Sequence, residues 1–257
     1  MKGFIEEYGK IIVVIILTLL MLGFGQTGLA KPLQNSLLKS TGMITKAHNK
    51  FDEVTKEPEP VTPGAIVDIE GIKYVVLEER ENNQALVMTA SNIGGKKFQS
   101  SARSDDQNIN TYEGSEIDNY LENDWYNSLS STMKAAIQTT SIKQASYSSI
   151  SPDSKQETGY NGQVYNTISR HAFLPSVDEI GKAVDLKNSA KVKAFLNGIS
   201  FWTRDSFQSS AIYAGFLNFG SGGLNGINVY YACGVRPAFV IDLSQVNYKV
   251  AGHTDYK

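Results

Sequence analysis

A single cysteine, Cys233, stands in the 257 residues, which excludes an internal disulfide and any cluster of cysteine ligands. Set in an apolar run, it reads as a small buried hydrophobe. Histidine is almost as scarce. His48, His171 and His253 lie in separate segments with no H-x-x-x-H or C-x-x-C spacing, so the sequence offers no zinc site and implies no cofactor. No G-x-S-x-G turn, phosphate-binding loop or dinucleotide fingerprint occurs either, and the chain reads as a non-enzyme. An excess of positive charge is also missing: 24 Lys and Arg stand against 26 Asp and Glu. With the lysines scattered, no basic field draws nucleic acid.

Long hydrophobic runs are absent but for one. Between Lys10 and Lys31 lie 20 residues without a charge, which as a helix span about 30 Å, the hydrocarbon thickness of a bilayer. A retained anchor fits this length and the flanks. A cleaved signal peptide ending at Gly28-Leu29-Ala30 is the competing reading, opposed by Glu6 and Glu7 in what should be a positive leader. Residues 1–30 are therefore expected to form an N-terminal tail and transmembrane helix. Over 31–54, Leu33, Leu37, Ile44, Phe51 and Val54 recur at helical spacing, predicting an amphipathic stalk. Residues 55–63 hold three of the seven prolines, an extended and semi-stiff linker. The head is then 64–257, a size that needs one core.

Within the head, 64–69 and 72–79 read as a hairpin across Glu70-Gly71, and 84–90 adds a third strand across Glu81-Asn82-Asn83. The polar stretch 93–113 reads as a loop. Ser115 can cap a helix carrying Ile117, Tyr120, Leu121, Trp125 and Leu129, and Ser131 a shorter one through Met133, Ala136 and Ile137. A strand at 139–147 and a polar excursion at 148–166 follow. Ser176 and Glu179 form a capping box opening a helix at 177–184, directly after a strand at 171–174. Helices in the first half and strands in the second predict an α+β head.

The most informative stretch is 199–243. A bulky strand at 199–204 is followed by one at 211–217, then a loop at 218–226 whose four glycines permit positive φ. A return strand at 227–232 is expected to place Ile227, Val229 and Tyr231 on one face and Asn228 and Tyr230 on the other. Gly234 marks a bulge or tight bend, and Pro237 an edge or irregular position, because proline cannot donate to a ladder. Asn218, Ser221, Asn225, Asn228 and Tyr230 are the candidate ligand-binding residues, since loops carry recognition on strands that hold them.

Phe201-Trp202-Thr203-Arg204-Asp205-Ser206 resembles the W-W-L-R-S block, and Gly234-Val235-Arg236-Pro237-Ala238 the G-V-R-P-A block, of a large bacterial domain family of unknown function. The resemblance runs over roughly 63–244. It implies a C-type-lectin-like fold, similar to formylglycine-generating enzymes and the variable proteins of diversity-generating retroelements. Formylglycine-generating chemistry needs paired cysteines, which this chain lacks. The E-P-N and W-N-D motifs of calcium-dependent sugar-binding lectins are also missing, so Asp105-Asp106 reads as a solvated acidic loop. In both blocks Trp202, Arg204, Gly234, Arg236 and Pro237 are expected to be structural, the arginines tying strands together through buried carbonyls or carboxylates.

The expectation that follows is a single-pass bacterial membrane protein whose extracytoplasmic head, as in surface proteins of similar architecture, binds an unidentified protein or glycan without catalysis. Gly3-Phe4-Ile5-Glu6-Glu7-Tyr8 also resembles the processing region of pilin-like proteins, with Tyr8 where that pattern has glutamate. The alternative is thus a pilin-like subunit or tip protein of a surface filament or of a secretion or conjugation apparatus, self-assembling through its N-terminal helix.

Overall fold

Alternation in the first head segment sets the frame. Ala65–Ile69 (β1) buries Ala65, Val67 and Ile69 and leaves Ile66 and Asp68 half-exposed. The computed structural model describes residues 60–103, 108–147, 163–207 and 210–257. The predicted membrane segment, the stalk and the linker as far as residue 59 lie outside the described residues, as do Asp105 and Asp106. Among the described residues no helix is long and apolar enough to cross a membrane.

Glu70 and Gly71, both at positive φ, turn β1 into Ile72–Glu79 (β2), and Asn82 and Asn83 turn β2 into Gln84–Thr89 (β3). Both hairpins lie where the turn residues predict them. Gly95–Lys97 (β4), Ile137–Gln138 (β5), Thr140–Tyr147 (β6) and Gln163–Arg170 (β7) follow. Then come Phe201–Phe207 (β8), Tyr213–Asn218 (β9), Gly223–Asn228 (β10), Ala232–Gly234 (β11), Ala238–Asp242 (β12) and Tyr248–His253 (β13). One sheet runs β13-β1-β2-β3-β12-β5, all antiparallel. The other runs β10-β9-β8-β11-β4, with β6 beside β8 and β7 beside β6.

Four α-helices and a short 3-10 turn (Leu243–Gln245) complete an α+β architecture among the described residues: α1 over 116–128, with a π-helical turn at Tyr120–Trp125, α2 (Ser131–Ala136), α3 (Val177–Ala183) and α4 (Ser189–Leu196). The first sheet is covered on both faces, so β2 and β3 show unbroken buried runs. Val75, Leu77, Leu86 and Met88 join the larger core, while Tyr74, Val76, Ala85 and Val87 face a second core closed by Met133 and Ala136 of α2.

Several expectations are corrected. Strand β4 lies inside the stretch read as a loop, and β7 begins inside the stretch read as a polar excursion. The cap of α2 is Ser130, whose hydroxyl accepts from the Met133 amide, not Ser131. The segment 171–174 is a single bridge, Phe173 to Ala238, rather than a strand. The hairpin loop 218–226 shrinks to the turn 219–222, because two of its glycines belong to β10. A Cβ on Gly226 would stand 2.6 Å from the Phe207 ring, so glycine there makes room for a side chain. The return strand ends at Asn228, where Asn228 Oδ1 accepts from the Tyr230 amide and Asn228 O from the Tyr231 amide. Val229 is buried and Tyr231 is 63% exposed, so Ile227, Val229 and Tyr231 do not share a face.

Two irregular connections hold the sheets together. Strand β8 pairs with β11 through Phe201 and with β6 through Ser206 and Phe207. Between these two contacts the chain at 173–177 inserts instead: Arg204 N donates to Pro175 O (3.1 Å), and Phe173 exchanges two backbone hydrogen bonds with Ala238 of β12. The second connection is the crossover from β11 in one sheet to β12 in the other, made by Val235-Arg236-Pro237. Gly234 begins it where the backbones crowd, since a Cβ there would lie 2.5 Å from Ser200 O and 2.6 Å from Asn92 Oδ1. Pro237 precedes β12, and its carbonyl accepts from Thr89 N. Gly234→Ala is expected to destabilise the protein by about 1–3 kcal/mol, because the facing Ser200 carbonyl is backbone and cannot swing away. Urea unfolding of the variant checks this, and native-like stability would show that the crossover has slack.

Candidate ligand-binding surface

The two motif strands supply the scaffold. The Arg204 guanidinium is buried and makes a bidentate pair with Glu179, at 2.6 Å on each side. It also donates to Leu174 O (2.9 Å) and Lys143 O (2.7 Å). One side chain therefore joins β8, β6 and the inserted segment to the first turn of α3. Burial alone would raise the Glu179 carboxyl, but the charge and hydrogen bonds of Arg204, with the Ser176 amide, hold it below its ordinary value.

Arg236 is buried differently. Its Nε donates to Thr89 O (2.8 Å), and its guanidinium lies over the rings of Phe195 (4.6 Å) and Phe201 (5.0 Å). Facing no carboxylate among the described residues, it is pushed down by burial to a pKa of about 9. Trp202 packs edge-on against Phe98 and Phe216 and donates Nε1–H to Lys96 O.

Asp205, next to Arg204, is fully buried. Its Oδ2 accepts from Val177 N (2.7 Å), at the start of α3, and its Oδ1 has no partner among the described residues. Burial raises its pKa to about 7, against the pull of Arg204 and the Val177 amide.

The five residues singled out from sequence fall at opposite ends of the β9–β10 hairpin. Asn218, Ser221 and Asn225 gather at the tight turn: Asn218 Oδ1 accepts from Gly220 N, and Asn225 Nδ2 donates to Ser221 Oγ. Asn228 and Tyr230 lie at the other end. Three residues of strand, about 10 Å, separate Asn225 from Asn228. At that far end Asn228 faces Tyr213 across the ladder, and Val229 N donates to Ile212 O. Ile212, Tyr213, Tyr230 and Tyr231 are all exposed there. The Asn110 side chain braces this end by donating to Ser210 O (2.9 Å) and Tyr213 O (2.7 Å). Strand alternation puts Tyr231, the most exposed of the four, on one face with the buried Val229. The signal that places it outside is Asn228, a residue prone to turns.

Among the described residues, no three His, Cys, Asp or Glu side chains converge as metal ligands. Residues 82–243, well over half of the chain, match the family described as a domain of unknown function, DUF6273. The chain belongs to this family. The matched stretch contains both motif blocks and stops short of β1, β2 and β13 at its margins. No curated protein and no solved structure matches the chain.

Removing Arg204 leaves Glu179 buried without its partner, so Arg204→Ala is expected to cost about 3–5 kcal/mol. Tyr230→Ala, at an exposed turn, is expected to cost about 0.5 kcal/mol or less. Denaturant titration of both variants tests the division between scaffold and surface.

Asp205 gives a pH signature. Between an unfolded-chain value near 3.8 and about 7 the native state keeps a proton that the unfolded chain has released. Its contribution is therefore fully present below that window and is lost as pH rises through it. Asp205→Asn keeps an acceptor for Val177 N without the charge. The variant's Tm is expected to exceed the native Tm at pH 8 by several degrees and to converge with it near pH 4. A constant offset across that range would contradict the assignment.

Proposed function

We propose that the chain is a membrane-anchored bacterial surface protein whose C-type-lectin-like head binds a protein or glycan ligand outside the cytoplasm. Two groups of residues support this reading. The charge-free run at 11–30 and the Pro-rich stretch at 55–63 supply an anchor and a spacer. The motif residues Trp202, Arg204, Gly234 and Arg236 are buried, which leaves recognition to positions around them. The observation that carries the proposal is the exposed end of the β9–β10 hairpin. Ile212, Tyr213, Tyr230 and Tyr231 combine apolar area with hydroxyls at low entropic cost, as recognition surfaces do, on backbone fixed by Asn110 and Asn228.

The test is a binding screen of the full chain in detergent micelles against arrayed glycans and cell-surface proteins. Any ligand found is then measured against Tyr230→Ala/Tyr231→Ala and Ser221→Ala/Asn225→Ala. Loss of binding of about tenfold or more in the tyrosine variant, at unchanged Tm, is expected. Undiminished binding there, with loss in the Ser221/Asn225 variant, would move the site to the tight turn.

A further inference from the structure

Away from that hairpin, three residues remote in sequence form a hydroxyl–imidazole–carboxylate array. Glu122, in the π-helical turn of α1, accepts at Oε1 from His171 Nδ1 (2.7 Å). Its Oε2 accepts from the backbone amides of His171 (2.8 Å) and Ala172 (3.1 Å). The carboxylate is thus held by three donors. On the far side of the ring, His171 Nε2 lies 2.9 Å from Thr139 Oγ1. The ring plane is fixed by Tyr126, stacked at 4.6 Å between centroids and 15° between planes.

This geometry sets the direction of proton transfer. A carboxylate only accepts, so Nδ1 carries the ring proton of the neutral imidazole, and Nε2 is left with its lone pair toward the hydroxyl. Thr139 donates its proton to Nε2 and keeps its oxygen lone pairs free. Thr139 is exposed, on the short link between β5 and β6, and the His171 side chain is about one-third exposed. A purely structural tie between α1 and the end of β7 is already complete in the two backbone amides held by Glu122, and it requires neither the second ring nitrogen nor the hydroxyl.

We propose that Thr139 is a histidine-activated nucleophile that takes the acyl group from small activated esters, with His171 as general base and Glu122 as a positioning residue. The activity goes beyond the binding function and occupies a different part of the head. In the step, Thr139 Oγ bonds to the ester carbonyl carbon as its proton passes to His171 Nε2. The carbon–oxygen bond to the alcohol then breaks, and the imidazolium returns the proton to the leaving alkoxide. Water, activated in the same way, releases the carboxylic acid and restores the hydroxyl.

The test is labelling of the full chain in detergent with a fluorophosphonate probe, located by peptide mass spectrometry. Phosphonylation at Thr139 is expected in the native protein, with none in the urea-unfolded chain. His171→Gln should slow it by about 100-fold or more, the scale of general-base catalysis. Thr139→Ser should label at least as fast as native, and Thr139→Val not at that position. Glu122→Gln keeps an acceptor for the backbone amides but no longer enforces the imidazole tautomer, so labelling should fall while Glu122→Asp recovers part of the rate. An unlabelled Thr139 in the folded native chain overturns the proposal. So does a rate at Thr139 that His171→Gln leaves unchanged.

Discussion

The pairing of Arg204 with Glu179 is the contact on which the rest of the head depends. Strand β8 is flanked by β11 at one end and β6 at the other, and its middle would expose backbone groups to an apolar interior. An inserted segment supplies the missing partners, and Arg204 fastens that segment by its carbonyl at Leu174 and by the carboxylate at Glu179. The same segment reaches the other sheet through Phe173 and Ala238. A buried ion pair gains little over an apolar replacement in most settings. Here its geometry selects one arrangement of four chain segments, because a planar guanidinium with fixed donor directions fits only that set of acceptors.

The two arginines show how residues of one kind, buried in the same head, meet different demands. Arg204 has a carboxylate partner and keeps its charge easily. Arg236 has aromatic faces and the carbonyls of Thr89 and Phe195, and burial works against its charge. One is a tie between strands and a helix, while the other fills the crossover between sheets with a group both flat and polar. Lysine could satisfy neither, having no plane to lay on Phe195 and no second edge to present to Glu179.

Local features of the fold were legible in the sequence, and features created by distant packing were not. The Glu70-Gly71 and Asn82-Asn83 turns and the Ser176/Glu179 capping box lie where their chemistry puts them, because each is settled within four residues. The glycines of 218–226 misled, since Gly226 serves the Phe207 ring from another strand. Period-two alternation grouped Tyr231 with Val229 because nothing in the pattern registers that Asn228 folds the chain back on itself. At the hairpin, the five chosen residues share composition but not location. The Glu122, Thr139 and His171 array had no signal at all: its members are 17 and 32 residues apart, and only the meeting of α1 with the ends of β6 and β7 makes them neighbours.

The first and last strands of the head hold each other. Ala65 faces His253 across an antiparallel ladder, and Thr254 donates both its amide and its hydroxyl to Gly64 O. The chain therefore enters and leaves this unit at one point on its surface. A body built this way is a cassette: with its two ends side by side, it can be set into an exposed loop of another polypeptide without prising that loop apart.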